Sequence, residues 1–154
     1  MCACARDQRG QALIEFALIA PVLLLVLTAI LKFGVALENK EELTSSARAG
    51  VRQLALGRSS ADPCARAYTR VTDSASGLDT STSKLKVATF YDGSPIGGST
   101  DPPSSTPPTC PGYLLFSGHD VKVMVTYPCD LKVFGRDFGL PSCTLTSRTT
   151  ERVE

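Results

Sequence analysis

Hydrophobic residues are concentrated near the N-terminus of this chain. An almost unbroken apolar run extends from Ala12 to Leu31, and polar residues become frequent after it. A helix of that length measures about 30 Å, which is the thickness of the hydrocarbon core of a bilayer. Lys32 ends the run, and the basic residues before it favour a cytoplasmic N-terminus. The pattern therefore predicts one membrane-spanning helix with the rest of the chain outside.

Helical periodicity continues beyond the apolar run to about Leu56. Apolar residues there recur on one face of a helix, at Leu43, Ala47, Val51 and Leu54. Gly57 follows as a predicted C-terminal cap. We therefore expect one long helix over residues 11–57, transmembrane in its first part and amphipathic in its second.

The remaining residues, 58–154, predict a small extracytoplasmic α+β domain. Asp62-Pro63 is typical of an N-cap and first helical position, and this second helix should end near Ser76-Gly77 with Cys64, Tyr68 and Val71 on one side. Strand alternation occurs over residues 84–91, 120–127 and 143–153, and Asp92-Gly93 is a turn signal. The Pro/Gly/Ser-rich stretch 93–112 predicts a long exposed loop, and Phe134 to Leu140 a connector. We expect these strands to form an antiparallel sheet on the outer half of the long helix.

Six cysteines fall on the two sides of the predicted span. Cys2 and Cys4 precede it and form a weak metal signal, whereas Cys64, Cys110, Cys129 and Cys143 follow it at wide spacing. Scattered cysteines in a small outside domain indicate disulfides. Four cysteines allow three pairings, of which we favour Cys129–Cys143, closing a short loop, together with Cys64–Cys110. Buried free thiols are the alternative, and a zinc site is disfavoured because no close cysteine pair or supporting histidines accompany them.

Charge and composition argue against several classes of function. The net charge is +1, no basic tract is present and Trp is absent, so we expect no nucleic-acid partner. His119 is the single histidine, beside Asp120, and we interpret it as a solvated turn residue because no nucleophile is placed near it in the sequence. We therefore predict no enzyme activity, no catalytic residues, no metal, no cofactor and no small-molecule substrate.

Two residues of the apolar run do not suit a plain membrane anchor. A carboxylate such as Glu15 costs about 2.5–3.5 kcal/mol at the middle of a membrane helix, and it must be paired, functional or close to the headgroups. Pro21 removes a backbone hydrogen bond and should kink or loosen the helix. A secretory signal peptide is disfavoured, because the run is long and no small-x-small cleavage site follows it.

Glu15 also belongs to a recognisable motif. The segment from Arg9 to Phe16, RGQALIEF, resembles the prepilin-peptidase cleavage motif of type IV pilins. The resemblance implies a cytoplasmic leader over residues 1–10 and cleavage between Gly10 and Gln11. Glu15 would then be the fifth residue of the mature chain, with the aromatic Phe16 next to it.

The similarity extends along the helix to about Leu56. The order EFALIAP, a leucine-rich span, Phe33-Gly34 and then Ser46-Ala47-Arg48-Ala49-Gly50 closely resembles the TadE-like minor pseudopilins of tight-adherence (Tad, or Flp, type IVb) pili, with Ser46 in place of the usual alanine. That resemblance implies a pilin-like fold and a subunit of pilus assembly. Its partners would be a prepilin peptidase, other pilins and pseudopilins, an inner-membrane assembly platform and membrane lipid.

In this family Glu15 would pair with the new amine of a neighbouring subunit, and Glu15, Phe16 and Pro21 would dock the subunit into a helical stack. We expect a single-pass protein of the bacterial inner membrane that can enter the pilus. The alternative is an uncleaved single-pass protein of the cell envelope that binds or scaffolds other proteins.

Overall fold

The computed structural model describes residues 8–129 and 143–154. The predicted leader before residue 8, with Cys2 and Cys4, and the predicted connector from Phe134 to Leu140 lie outside the described residues. The described residues contain two helices, α1 (Gln8–Ala55) and α2 (Pro63–Ser74), together with short 3-10 turns at Gly57–Ser59 and Gly112–Leu114. The four strands are β1 (Lys86–Tyr91), β2 (Ser94–Ile96), β3 (Asp120–Pro128) and β4 (Thr144–Arg152). The α+β prediction is confirmed.

The strands form one antiparallel sheet in the order β2-β1-β3-β4. Alternation in β3 places Val121, Val123 and Val125 on the face that packs against the helices, as the period of two predicts. Leu145 of β4 packs against the same core. Strand β1 is buried on both faces. On its outer face Ala88 and Phe90 pack with Met124 of β3 in a second, smaller apolar cluster. The sequence analysis predicted only one buried face for β1.

The C-terminal part of α1 forms one wall of the main core. The four predicted core positions of α1 are fully buried: Leu43, Ala47, Val51 and Leu54. The helix α2 crosses α1 closely at Gly50, where an added Cβ would lie 2.4 Å from Cγ2 of Val71. Asp62 caps α2 as predicted, because its Oδ1 accepts hydrogen bonds from the backbone N–H groups of Ala65 (2.9 Å) and Cys110 (3.0 Å).

Gly57 is not the left-handed C-terminal cap that its position suggested. It starts the 3-10 turn after α1, and its φ angle is not positive. A Cβ there would lie 2.3 Å from Cβ of Pro63, so glycine is required because the start of α2 approaches the chain closely. Gly57 does mark the end of α1, as predicted, but the residue is glycine because of tertiary packing and not because of a left-handed cap.

The Pro/Gly/Ser-rich stretch 93–112 is more ordered than the predicted exposed loop. Asp92 and Gly93 have φ angles of 45° and 81°, which fit a tight hairpin turn, and β2 follows directly. Pro103 is buried, and together with Pro102 it lines a shallow cavity beside Lys86 and Thr126 on the outer face of the sheet. The stretch therefore covers part of the sheet.

Two disulfides are present in the structure. Cys64 is bonded to Cys110 with 5.3 Å between the Cα atoms, and Cys129 is bonded to Cys143 with 5.2 Å. These are the pairs that the sequence analysis favoured. The first joins α2 to the end of the proline-rich stretch, and the second joins the end of β3 to the start of β4.

Candidate processing and assembly site

The first part of α1 projects away from the domain. We call residues 10–39 the stem, because Lys40 is the first α1 residue whose side chain bonds to the sheet, at the carbonyl of Thr146. The stem measures about 45 Å as a helix. Its large apolar side chains are uncovered, for example Leu13 at 71%, Phe16 at 69% and Leu18 at 72% exposure. The helix is long and apolar enough to cross a membrane. Such a surface requires lipid or other protein subunits around it.

Gly10 stands at the start of the stem without a packing reason. A Cβ added at Gly10 would meet no atom within 4 Å, and the residue lies inside a regular helix. Glycine in a helix costs about 0.5–1 kcal/mol relative to alanine. Gly50 in the same helix is different, because its lack of a side chain lets α2 approach. The described part of the chain therefore does not explain why glycine occupies position 10.

Glu15 is an exposed carboxylate on the apolar surface of the stem. Its Oε1 accepts a long hydrogen bond of 3.4 Å from Nε2 of Gln11, one helical turn earlier. Within residues 10–129 and 143–154 no ion pair involves Glu15. Between residues 10 and 37 the sequence offers only Lys32 as a cation, 17 positions away along the helix. The carboxylate thus has no charged partner in the described part of its own molecule.

The other predicted docking residues lie on different sides of the stem. By helical geometry Phe16 lies about 100° around the axis from Glu15, and Pro21 about 240°. The helix continues through Pro21, whose missing N–H leaves the carbonyl of Ala17 without its usual donor. The structure brings Gln11 and Glu15 together but not Glu15, Phe16 and Pro21. A single neighbour could not contact all three, whereas a stem surrounded by several helices would.

Residue types that carry chemistry are sparse elsewhere in the domain. His119 lies at the far end of the sheet, where its Nδ1 is 2.5 Å from Oδ2 of Asp92 and its ring stacks on Tyr91. This contact lowers the pKa of the Asp92 carboxyl, with a smaller contribution from the backbone N–H of Asp120. The side chain of His119 is 49% exposed. Sequence reasoning described a solvated turn residue and missed the partner, which lies 27 positions earlier.

That arrangement ties the β1–β2 turn to the start of β3. Within the described residues no group of three or more His, Cys, Asp or Glu side chains could hold a metal ion. We assign no catalytic role to the His119–Asp92 pair, and its contacts explain it as a link between two connections.

The second half of the resembling segment packs inside the domain. Ser46 and Ala47 are fully buried, and the hydroxyl of Ser46 donates to the carbonyl of Leu43 at 3.0 Å. Gly50 contacts α2, as described above. Arg48 between them is exposed. The small residues of this segment therefore allow α1 to pack against its own domain. Gly10 and Glu15, by contrast, lie on the stem and make no contact with the domain.

Comparison with known proteins supports the resemblance found in the sequence. A family model described as TadE-like protein matches residues 10–52. No curated protein and no solved structure matches the chain. The matched segment begins at Gly10, includes the whole stem and ends in the part of α1 that packs on α2. Over residues 10–52 the chain is therefore similar to the TadE-like proteins.

Proposed function

We propose that the chain is a minor pilin, or pseudopilin, needed to assemble a tight-adherence type IV pilus. A prepilin peptidase would cleave it after Gly10, and the mature subunit would begin at Gln11. The TadE-like match supports a role in such a pilus. The observation that carries the finer proposal is the exposed stem, on which an unpaired Glu15 follows an unexplained Gly10 at the spacing of a prepilin motif.

Cleavage after Gly10 would supply the cation that Glu15 lacks. It frees an α-amine on Gln11, and that amine of a neighbouring subunit would pair with the carboxylate of Glu15. Leaving a charged carboxylate unpaired in hydrocarbon costs about 2.5–3.5 kcal/mol, so pairing would favour assembled subunits over isolated ones. The other faces of the stem, including Phe16 and Pro21, would contact further helices of the stack.

Two further features support the proposed membrane orientation. Arg6 and Arg9 precede the span, which favours a cytoplasmic N-terminus. The domain carries two disulfides, and such bonds persist in oxidising compartments outside the cytoplasm. We therefore propose a single-pass inner-membrane protein whose domain lies outside and which enters the growing pilus.

Processing is tested by replacing the cleavage glycine and a matched one. Gly10→Val and Gly34→Val both add a side chain to an exposed stem glycine that has no neighbour within 4 Å. Each variant is produced together with the prepilin peptidase, and the N-terminus of the product is sequenced. We expect Gly34→Val to be cleaved like the natural chain and Gly10→Val to remain intact. Equal cleavage of both variants would contradict processing at Gly10, and a natural chain that is not cleaved at all would favour the uncleaved envelope protein.

Assembly is tested separately at Glu15. Glu15→Gln keeps the size and the contact with Gln11 but removes the charge, and Glu151→Gln does the same at an exposed position of β4. We expect both variants to be processed, and only Glu15→Gln to reduce the amount of surface pilin recovered by shearing. Normal piliation with Glu15→Gln would contradict the pairing role.

A further inference from the structure

Five exposed residues form a straight line on the outer half of α1. They alternate at spacings of three and four, which keeps them on one side of a helix, and we call them the charged seam: Glu38, Glu41, Ser45, Arg48 and Arg52. The opposite side of α1 carries the buried residues that contact the sheet and α2. By helical geometry the seam lies on average about 100° around the axis from Glu15. The seam is therefore a separate surface from the predicted pairing site.

The four charges of the seam have no ionic partner within the described residues. No salt bridge or hydrogen bond there involves Glu38, Glu41 or Arg48, and Arg52 only shares a shallow depression with acidic residues of the C-terminal end. Neighbouring charges of α1 behave differently. Lys40 donates to the carbonyl of Thr146, and Glu42 accepts from the backbone N–H of Gly77 at 2.5 Å. The domain thus uses the charges that face it and leaves the seam free.

The signs along the seam are ordered. Both acidic residues lie toward the stem, and both basic residues lie toward the far end of the domain. Two parallel copies in the same register would place Glu38 against Glu38 and Arg48 against Arg48, which is repulsive. Glu38 precedes Arg48 by ten positions and Glu41 precedes Arg52 by eleven. A copy displaced outward by about 15 Å along the axis would bring both acidic residues level with both basic residues of the lower copy.

We propose that the charged seam is a docking surface for a second copy of this chain, staggered by about 15 Å away from the membrane. Parallel helices 8–10 Å apart allow Glu and Arg side chains to meet across the interface. A displaced contact of this kind joins different parts of the two copies, so it is heterologous and does not close into a symmetric dimer. The inference deepens the proposed pilin function, because it names the partner and the register of one subunit contact.

The register is tested by crosslinking full-length chains in the membrane. Two copies with different tags are produced together, both with Cys2 and Cys4 replaced by serine, and a short bismaleimide is added. One pair carries Glu38→Cys in one copy and Arg48→Cys in the other; the second pair carries Glu38→Cys in both copies. We expect the staggered pair to crosslink about fivefold more than the in-register pair, and the difference to shrink in high salt.

A charge reversal gives a sharper version of the same test. The quadruple variant changes Glu38 and Glu41 to Arg, and Arg48 and Arg52 to Glu; in each copy position 38 or 48 then carries the crosslinking cysteine instead. Paired with itself, it should retain the staggered register. When a variant copy meets a copy with the natural seam, opposite charges are level in the same register. The preferred crosslink should therefore change to the in-register positions. Arg70→Glu with Asp73→Arg, at exposed positions of α2, serves as a control that also keeps the net charge and should leave the register unchanged.

Several outcomes would overturn the seam proposal. With the natural seam, the proposal fails if the in-register pair crosslinks as much as the staggered pair or more. It also fails if no homodimer is crosslinked, or if the chain crosslinks only to a different protein. With the quadruple variant, it fails if the preferred register does not change. The N-terminus of the chain is sequenced from the same cells. Cleavage after Gly10 without staggered crosslinks contradicts the seam alone, whereas staggered crosslinks of an uncleaved chain contradict the pilin function alone.

Discussion

Gly50 provides a direct test of how the TadE-like segment is joined to its domain. The perturbation is Gly50→Ala, which adds one methyl group where α1 crosses α2. That Cβ would lie 2.4 Å from Cγ2 of Val71, 3.4 Å from the carbonyl oxygen of Ala67 and 3.7 Å from Cγ1 of Val123. Carbon atoms in favourable contact are about 3.5–4.0 Å apart, so the first of these distances requires α2 or Val71 to move.

Two effects of opposite sign determine the result. Alanine is favoured over glycine inside a helix by about 0.5–1 kcal/mol. Adding a methyl group to a closely packed core typically costs about 1–3 kcal/mol. We expect packing to dominate because Val71 is fully buried, and the net loss of stability to be about 1 kcal/mol. In a domain of this size that corresponds to a melting temperature lower by about 4–8 °C.

Thermal unfolding of the detergent-solubilised full chain, followed by circular dichroism, measures this loss. Gly34→Ala is the matched control, since nothing lies within 4 Å of its new Cβ, and it should leave the melting temperature unchanged or raise it. Gly50→Ala combined with Val71→Ala should be less destabilising than the sum of the two single changes, because Val71→Ala removes the clashing methyl group. A Gly50→Ala chain as stable as the natural one would refute the packing explanation.

Two further predictions concern the domain. Replacing Cys64 and Cys110 together by alanine should lower the stability by up to about 4 kcal/mol, from the loop of 46 positions that the disulfide closes, as measured by urea unfolding; a non-reduced peptide map that links Cys64 to Cys129 would contradict the assigned pairing. The hydrogen bond from Lys84, helped by Ser81, lowers the pKa of Asp79 from 3.8 to about 2. Because the folded pKa is lower than the unfolded one, this stabilising contribution is present above pH 3.8 and is lost as the pH falls toward 2. An NMR titration should show the low midpoint for the carboxyl of Asp79 and its return toward 3.8 in Lys84→Gln; a midpoint near 3.8 in the natural chain would contradict it.

Local sequence patterns were sufficient to predict most of the regular structure. The helical face that contains Leu43, the N-cap at Asp62 and the valine alternation of β3 are each determined by residues close together in the chain. The same is true of the candidate site, because the motif from Gly10 to Phe16 lies in one helix. Such features need no knowledge of the tertiary fold. The helical face, the N-cap and the strand alternation are present in the structure, whereas the role of the motif stays a prediction.

The features that were missed depend on residues far apart in sequence. The strand β2 has three residues and contains Pro95, which is tolerated only because β2 is the edge of the sheet. Gly57 is glycine because Pro63 approaches it, and His119 pairs with Asp92 from another connection. The proposed partner of Glu15 could not be found in the fold of one chain, because it would belong to another molecule.

The division of α1 gives the TadE-like segment two separate roles. Its last part is buried in the domain, with Gly50 allowing the contact with α2, while its first part forms the uncovered stem. Substitutions in the buried part should therefore act through stability. Substitutions at Gly10 and Glu15 should leave stability unchanged and act through processing and assembly. This contrast separates a folding defect from a functional one in any variant of the segment.

The N-terminal residue of the natural chain, recovered from membranes of cells with and without an active prepilin peptidase, tests the central claim most directly. Intact mass and N-terminal sequencing identify it without any substitution. We expect a chain that begins at Gln11 when the peptidase is active and an uncleaved chain when it is absent. A chain that keeps its leader in both cells, or one cleaved after Leu31, would contradict prepilin processing and indicate a membrane-anchored or secreted domain.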